Sequence, residues 1–157
     1  MTVKRVTPAV EISAAAQNDV PSITSLLCEA DLPNEDFADH LQHFLVVRRG
    51  SEIVGAIGFE LHGADALLRS LVVAPALRGA GLGVRLVEQL TAAALSQGVT
   101  RFFLLTTTAE AFFAKRGFHT VARQTVPADI AGTKEFNSLC PVSAVCMTRS
   151  LEAARPP

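Results

Sequence analysis

The chain has 157 residues, 49% of them apolar, and its 14 Lys and Arg nearly balance its 15 Asp and Glu. That length suits a single domain with a sizeable core, and the charge balance excludes the strong field that a nucleic-acid or anionic-membrane partner calls for, leaving a small molecule as the expected partner. No window reaches membrane-spanning length, the opening residues lack the apolar run of a signal peptide, and Cys28, Cys140 and Cys146 show neither disulfide nor zinc spacing, so a reducing cytosol and no metal are expected.

In chain order, a strand is predicted over residues 10–15, then a helix to residue 30, capped by Asn18 or Asp19, with Pro21 in its first turn. Ile23, Leu26, Leu27 and Ala30 share one face of it. Leu32-Pro33-Asn34 stops it, and a second short helix is predicted over 35–43. Apolar runs at 44–47 and 53–61, joined by a turn at 48–52, read as a hairpin, and residues 66–73 supply a third strand closed by Pro75. A glycine-rich turn leads into an amphipathic helix over 82–97, with Leu82, Leu86, Val87, Leu90, Ala93 and Ala94 on one side. A strand over 101–105, a helix over 109–116, a strand from 118, a loop through 127–139 and a last strand over 143–151 complete the order. Strands alternating with helices in the second half point to one α/β domain, its core about 10–151, with a mixed central sheet flanked by helices.

The sharpest local signal is the run Val72-Val73-Ala74-Pro75-Ala76-Leu77-Arg78-Gly79-Ala80-Gly81-Leu82-Gly83-Val84. Glycines let the backbone approach a ligand, and successive N–H groups at a helix N-terminus favour an anion such as pyrophosphate. Gly83 is followed by Val84-Arg85, so a P-loop lacks its lysine and its hydroxyl; a dinucleotide fingerprint lacks the G-x-G-x-x-G spacing and the acid after the next strand. The pattern Arg-x-x-Gly-x-Gly at 78, 81 and 83 instead resembles the acetyl-CoA pyrophosphate loop of the GNAT superfamily of N-acetyltransferases. The block from Ala109 to Phe118, with Phe112, Phe113 and Gly117, is similar to that family's A-x-x-F-Y/F-x-x-x-G-F element. Three further stretches, 67–73, 104–110 and 135–144, resemble the N-acetyltransferases encoded with arsenic-resistance genes.

The resemblance implies a GNAT-like sheet, acetyl-CoA as cosubstrate, and direct attack of a small amine on the thioester without an acyl-enzyme. It places the pantetheine arm along Leu71, Val72 and Val73, a backbone N–H near Leu71 as the oxyanion donor, the pyrophosphate on residues 78–84, and Phe112 and Phe113 beside the thioester. It also implies an amino acid or amino-acid analogue as acceptor, an organoarsenical or a phosphinothricin-like compound among the candidates. Dimerisation, common in that superfamily, is left open.

A protonated amine needs a base before it can attack. Where many relatives carry an acid on the strand, this chain has Arg69. Glu60 is the first candidate base, with Glu110 and His62 behind it; each also reads as an ordinary solvated or helix-end group. Arg69, in an apolar strand, fits either a buried ion pair or a fork that clamps a substrate carboxylate, and the clamp is the reading preferred. Ser70, Thr106 and Thr107 are candidate substrate contacts, with Thr107 or Thr108 expected to cap the following helix. No tyrosine exists to protonate the leaving thiolate. Two rivals stand beside catalysis: an acyl-CoA-binding sensor, and an arsenical-binding protein using Cys140 and Cys146, which read more simply as small buried apolar groups.

Overall fold

The computed structural model describes residues 9–139 and 143–151, the side chains of Ser138 and Leu139 excepted. Its strands are β1 Val10–Ala14, β2 Phe44–Arg49, β3 Glu52–His62, β4 Asp65–Val73, β5 Arg101–Thr106, β6 His119–Thr120 and β7 Val145–Ser150, forming one sheet in the order β1-β2-β3-β4-β5-β7-β6. Every neighbouring pair is antiparallel except β4 with β5. Between those two the chain crosses over through a helix, the connection a parallel pair requires.

The helices are α1 Val20–Glu29, α2 Leu82–Ser96, α3 Glu110–Lys115 and α4 Ala128–Ala131. Strand alternation distributes them over both faces of the sheet. Ile57, Phe59, Leu68, Phe102 and Leu104 pack with Leu86 and Leu90 of α2 and Phe113 of α3. Ala56 and Val72 pack with Ile23 and Leu27 of α1, and Leu67 and Phe103 with Ile130 of α4. Burying each such side chain contributes roughly 1.5–3 kcal/mol.

The mixed sheet flanked by helices is the expected architecture, with local corrections. The loop predicted over 127–139 carries α4 and a π-helical turn, Glu135–Leu139. The helix expected over 35–43 is a 3-10 segment, Phe37–His43, kinked at His40, and the strand from 118 keeps two residues. Such short pieces contain too little of a period to be read from sequence. Asp19 does hold the N-cap position of α1, but its carboxylate accepts from the Ala16 N–H at 2.8 Å and from Arg48 at 2.6 and 3.0 Å. That pairing ties the start of α1 to β2 and leaves the first amides of the helix without a side-chain cap.

Two irregularities in β4 create the cleft of this domain. β4 and β5 pair only from Asp65 to Leu67 and from Arg101 to Phe103, although they run on to Val73 and Thr106, so beyond these residues they splay and open a wedge. In the same stretch β3 holds Gly58 against Arg69 and Ala56 against Val72, so Ser70 and Leu71 together oppose Ile57. This bulge puts Ser70 at φ 63, a left-handed conformation rare for a residue with a Cβ.

Candidate active site

The wedge between β4 and β5 is a cavity of about 1000 Å³, and its wall runs from the segment after α1, along β4, through the glycine turn, to the end of β5 and the π-helical turn. At one end, Gly79 and Gly81 have φ 86 and 84. A side chain at either would meet no atom within 4 Å but would be strained in the left-handed region. Gly81 is the N-cap of α2, with no side chain bonding the first amides of the helix. The turn therefore presents bare N–H groups and the positive end of a 15-residue helix to the wedge. Gly83 is kept small for another reason: a Cβ there would lie 3.3 Å from the Phe112 ring. Arg78 is exposed beside the turn, its Nε donating to the Val73 carbonyl at 3.1 Å.

Leu71, Val72, Val73, Arg78, Gly79, Gly81, Leu82, Gly83, Val84, Phe112 and Phe113 all line the cavity, while Ala80 is exposed and off its wall. Ser70, Thr106 and Thr107 line it as well. Thr106 Oγ1 accepts from the N–H of Ala109, the N-cap residue of α3, at 2.9 Å, and no side chain caps the helix itself. The cap expected from Thr107 or Thr108 is not made, and both are exposed. Phe113 packs edge-on to Phe112 and Phe118, an apolar surface with no proton to give.

At the other end lies a cluster of charges. Arg69 Nη1 donates to Asp36 Oδ2 at 3.0 Å and to Glu60 Oε2 at 2.7 Å, Nη2 to Asp36 Oδ1 at 2.7 Å, and Nε to Ser70 Oγ at 3.2 Å. The Arg69 side chain is 0% exposed. Of the two roles considered for Arg69, the buried ion pair is the one present, and the expectation of a free fork is corrected: a substrate carboxylate would have to displace Asp36. Burial works against the Asp36 carboxylate, but hydrogen bonds from Arg69 outweigh it and hold its pKa below the usual range.

Glu60, the first candidate base, is 4% exposed and lies behind Arg69 rather than on the cavity wall. Its Oε1 is 3.3 Å from His40 Nε2 and 3.5 Å from His62 Nε2. His62 ends β3 instead of sitting in a turn, and Glu110 is exposed in the first turn of α3, off the cavity wall. Asp36, His40 and Glu60 bring ligand atoms within 4.8 Å of one another, but the cation in contact with both acids is the Arg69 guanidinium.

Of the carboxylates around Arg69, the one that reaches the wall is Glu135, which belongs to the 135–144 stretch but carries no chemistry that its sequence context reveals. It is 4% exposed, with Oε1 3.8 Å from Arg69 Nε. Burial pushes its carboxyl up to about 7; Arg69 pulls it down, and Glu60 and Asp36 add to the rise. Of the cysteines, Cys28 is exposed and Cys146 buried, its thiol raised mainly by burial. Cys140, the other member of the arsenical pair, lies outside the described residues.

The family model described as "Acetyltransferase (GNAT) domain" matches residues 40–120. The chain belongs to the GNAT acetyltransferase family. Among curated relatives, an amino-acid acetyltransferase of Ralstonia nicotianae is 32% identical over 124 residues, covering 73% of this chain and 28% of that protein. One from Neisseria meningitidis serogroup A is 26% identical over 127 residues, covering 75% and 29%. This GNAT chain thus spans under a third of the length of these relatives. By structure it is similar to N-acetylglutamate synthase of Neisseria gonorrhoeae, solved with coenzyme A and N-acetyl-glutamate, at TM-score 0.81 and 22% identity over 92% of this chain and 36% of that one. Rv2747 of Mycobacterium tuberculosis, solved with coenzyme A among its ligands, superposes at TM-score 0.77 with 24% identity over 90% and 99%.

Proposed function

We propose that this GNAT domain transfers the acetyl group of acetyl-CoA directly to the amine of a small molecule, an amino acid or amino-acid analogue. One observation carries the reading: the splay of β4 from β5 opens onto the glycine turn, so a strand edge and an anion cradle share one cavity. Along the edge past Leu67, β4 has no strand partner on the β5 side, which suits an extended amide chain such as pantetheine added as another strand. The amides of residues 78–84 suit the pyrophosphate, with Arg78 beside them. The bulge at Ser70 and Leu71 breaks the regular ladder in the middle of that edge. A backbone N–H freed there, at Leu71 or its neighbour, is well placed to stabilise charge on a thioester oxygen, a contribution of about 3 kcal/mol.

The amino-acid acetyltransferases among the relatives support an amino-acid-like acceptor, with Ser70, Thr106 and Thr107 as polar contacts on the wall. Organoarsenical and phosphinothricin-like amino acids are included in this class. The decisive assay is coenzyme A release from acetyl-CoA with a panel holding glutamate, other amino acids, phosphinothricin-like analogues and organoarsenicals. Turnover with an α-amino acid in the panel is expected. Turnover with protein or polyamine acceptors alone would overturn the substrate class, and binding of acetyl-CoA without turnover would make the domain a sensor.

A further inference from the structure

We propose that Glu135 is the catalytic base, taking a proton from the ammonium group of the acceptor while Arg69, Asp36 and Glu60 hold the charge balance around it. The inference rests on the acetyl-transfer reading and adds the residue that makes the amine reactive.

Position singles out Glu135 among the acids. Asp36 and Glu60 are buried behind Arg69 and do not line the cavity, while Glu29, Asp31 and Glu35 line it as exposed groups. Glu135 is both on the wall and nine-tenths buried. Its hydrogen-bonding capacity is also unfilled among the described residues. Among the described residues nothing donates a hydrogen bond to Glu135, and its ion-pair distance to Arg69, 3.8 Å, is too long for one. Arg69 has already committed Nε to Ser70, Nη1 to both Asp36 and Glu60, and Nη2 to Asp36. Among the described residues, the Glu135 oxygens are therefore left open to a donor arriving through the cavity.

Charge favours the same donor. Three carboxylates, Asp36, Glu60 and Glu135, surround one guanidinium, so a second cation next to Glu135 is favoured. Of the other titratable groups near the turn, His40 and His62 contact Glu60, while the adjacent Lys134 and Asp129 of α4, the helix packed beside the turn, are exposed. A carboxyl near 7 is matched to base work at neutral pH, because an appreciable fraction is ionised and still basic enough to accept. The turn that carries it starts from Thr133, whose hydroxyl donates to the Ile130 carbonyl at 2.8 Å and accepts from the Phe136 N–H at 3.4 Å.

In the transfer step, Glu135 takes one proton from R–NH3+, and the freed nitrogen lone pair forms the C–N bond to the thioester carbonyl carbon. The C–S bond breaks with its electron pair on sulfur, which takes the second proton lost by nitrogen. Glu135 returns its proton to water at the cavity mouth.

The test measures coenzyme A release against pH for the wild type, Glu135→Gln, Glu135→Asp and Glu60→Gln, with coenzyme A binding followed by calorimetry. Expected are a wild-type kcat/KM that rises through an inflection near pH 7, a loss of about 10²–10³-fold in Glu135→Gln with that inflection gone, partial activity in Glu135→Asp, and unchanged coenzyme A binding in Glu135→Gln. In Glu60→Gln the inflection should persist but move to lower pH, since one neighbouring negative charge is gone. Wild-type turnover that survives in Glu135→Gln with its inflection intact would overturn this proposal while leaving acetyl transfer standing. A wild type that binds coenzyme A but acetylates no amine would bring down both.

Discussion

At the glycine turn, residues 78–84 face the cleft with backbone, bare amides in left-handed corners and exposed surroundings. At the other end of the cleft, Arg69 and Glu135 face it with side chains, backed by Asp36 and Glu60, a cluster drawn from four separate stretches of chain and almost wholly withdrawn from water. The first region depends on what a residue lacks, a Cβ; the second depends on opposite charges held together out of water. Consequently the two should fail differently when altered, the cradle losing ligand and the cluster losing the fold.

The largest effect belongs to the cluster. Arg69→Met leaves three acids facing one another in a buried site, and the cost should be about 3–5 kcal/mol in denaturant unfolding; a loss below about 1 kcal/mol would mean that the cluster contributes little to the fold. Next is Glu135. Its folded pKa, about 7, stands above the 4.5 of an ordinary glutamate, so between these values the folded state binds the extra proton and stability falls as pH rises. Glu135→Gln should therefore be more stable than the wild type at pH 8, by roughly 3 kcal/mol at most, and equal to it near pH 4. Identical pH profiles for the two proteins would remove the electrostatic half of the comparison.

At the cradle, Gly81→Val forces a branched side chain into the left-handed region, costing about 1–2 kcal/mol locally. Here the diagnostic effect should be in binding, about tenfold weaker coenzyme A by calorimetry, with the loss in unfolding free energy held to about 1–2 kcal/mol. The smallest effect serves as a control. Arg101 makes the same kind of fork to Asp65, at 2.9 and 3.3 Å, but with its side chain 45% exposed, so Arg101→Ala should cost under about 1 kcal/mol. If it rivalled Arg69→Met, burial would not be what separates the two pairs.

The same contrast explains what is legible in the sequence. The cradle is local: glycines at 79, 81 and 83 and the helix they open lie in one run of residues, and both the turn and α2 stand within a residue of where they are expected. Arg69 announces its need of a partner by being charged in an apolar strand, but its partners stand 33 residues before it, nine before it and 66 after it. No spacing rule connects such positions, which is why the sequence points to Glu60 as the base and to Arg69 as a free fork. Glu135 is the hardest to find, since it sits in a five-residue π-helical turn inside what reads as a plain loop.

The bulge at Ser70 and Leu71 has a consequence for how this strand tolerates change in length. Because β4 carries one more residue than β3 across that point, Arg69 and Val72 answer Gly58 and Ala56 and come out on a common side. Deleting Ser70 or Leu71 would restore a regular ladder with Arg69 and Val72 still on one side; what it would remove is the irregular backbone in the middle of the cleft edge. A one-residue deletion here should thus keep the side-chain pattern while costing the site its bulge, and the number of residues in β4 is as much a part of the site as their identity.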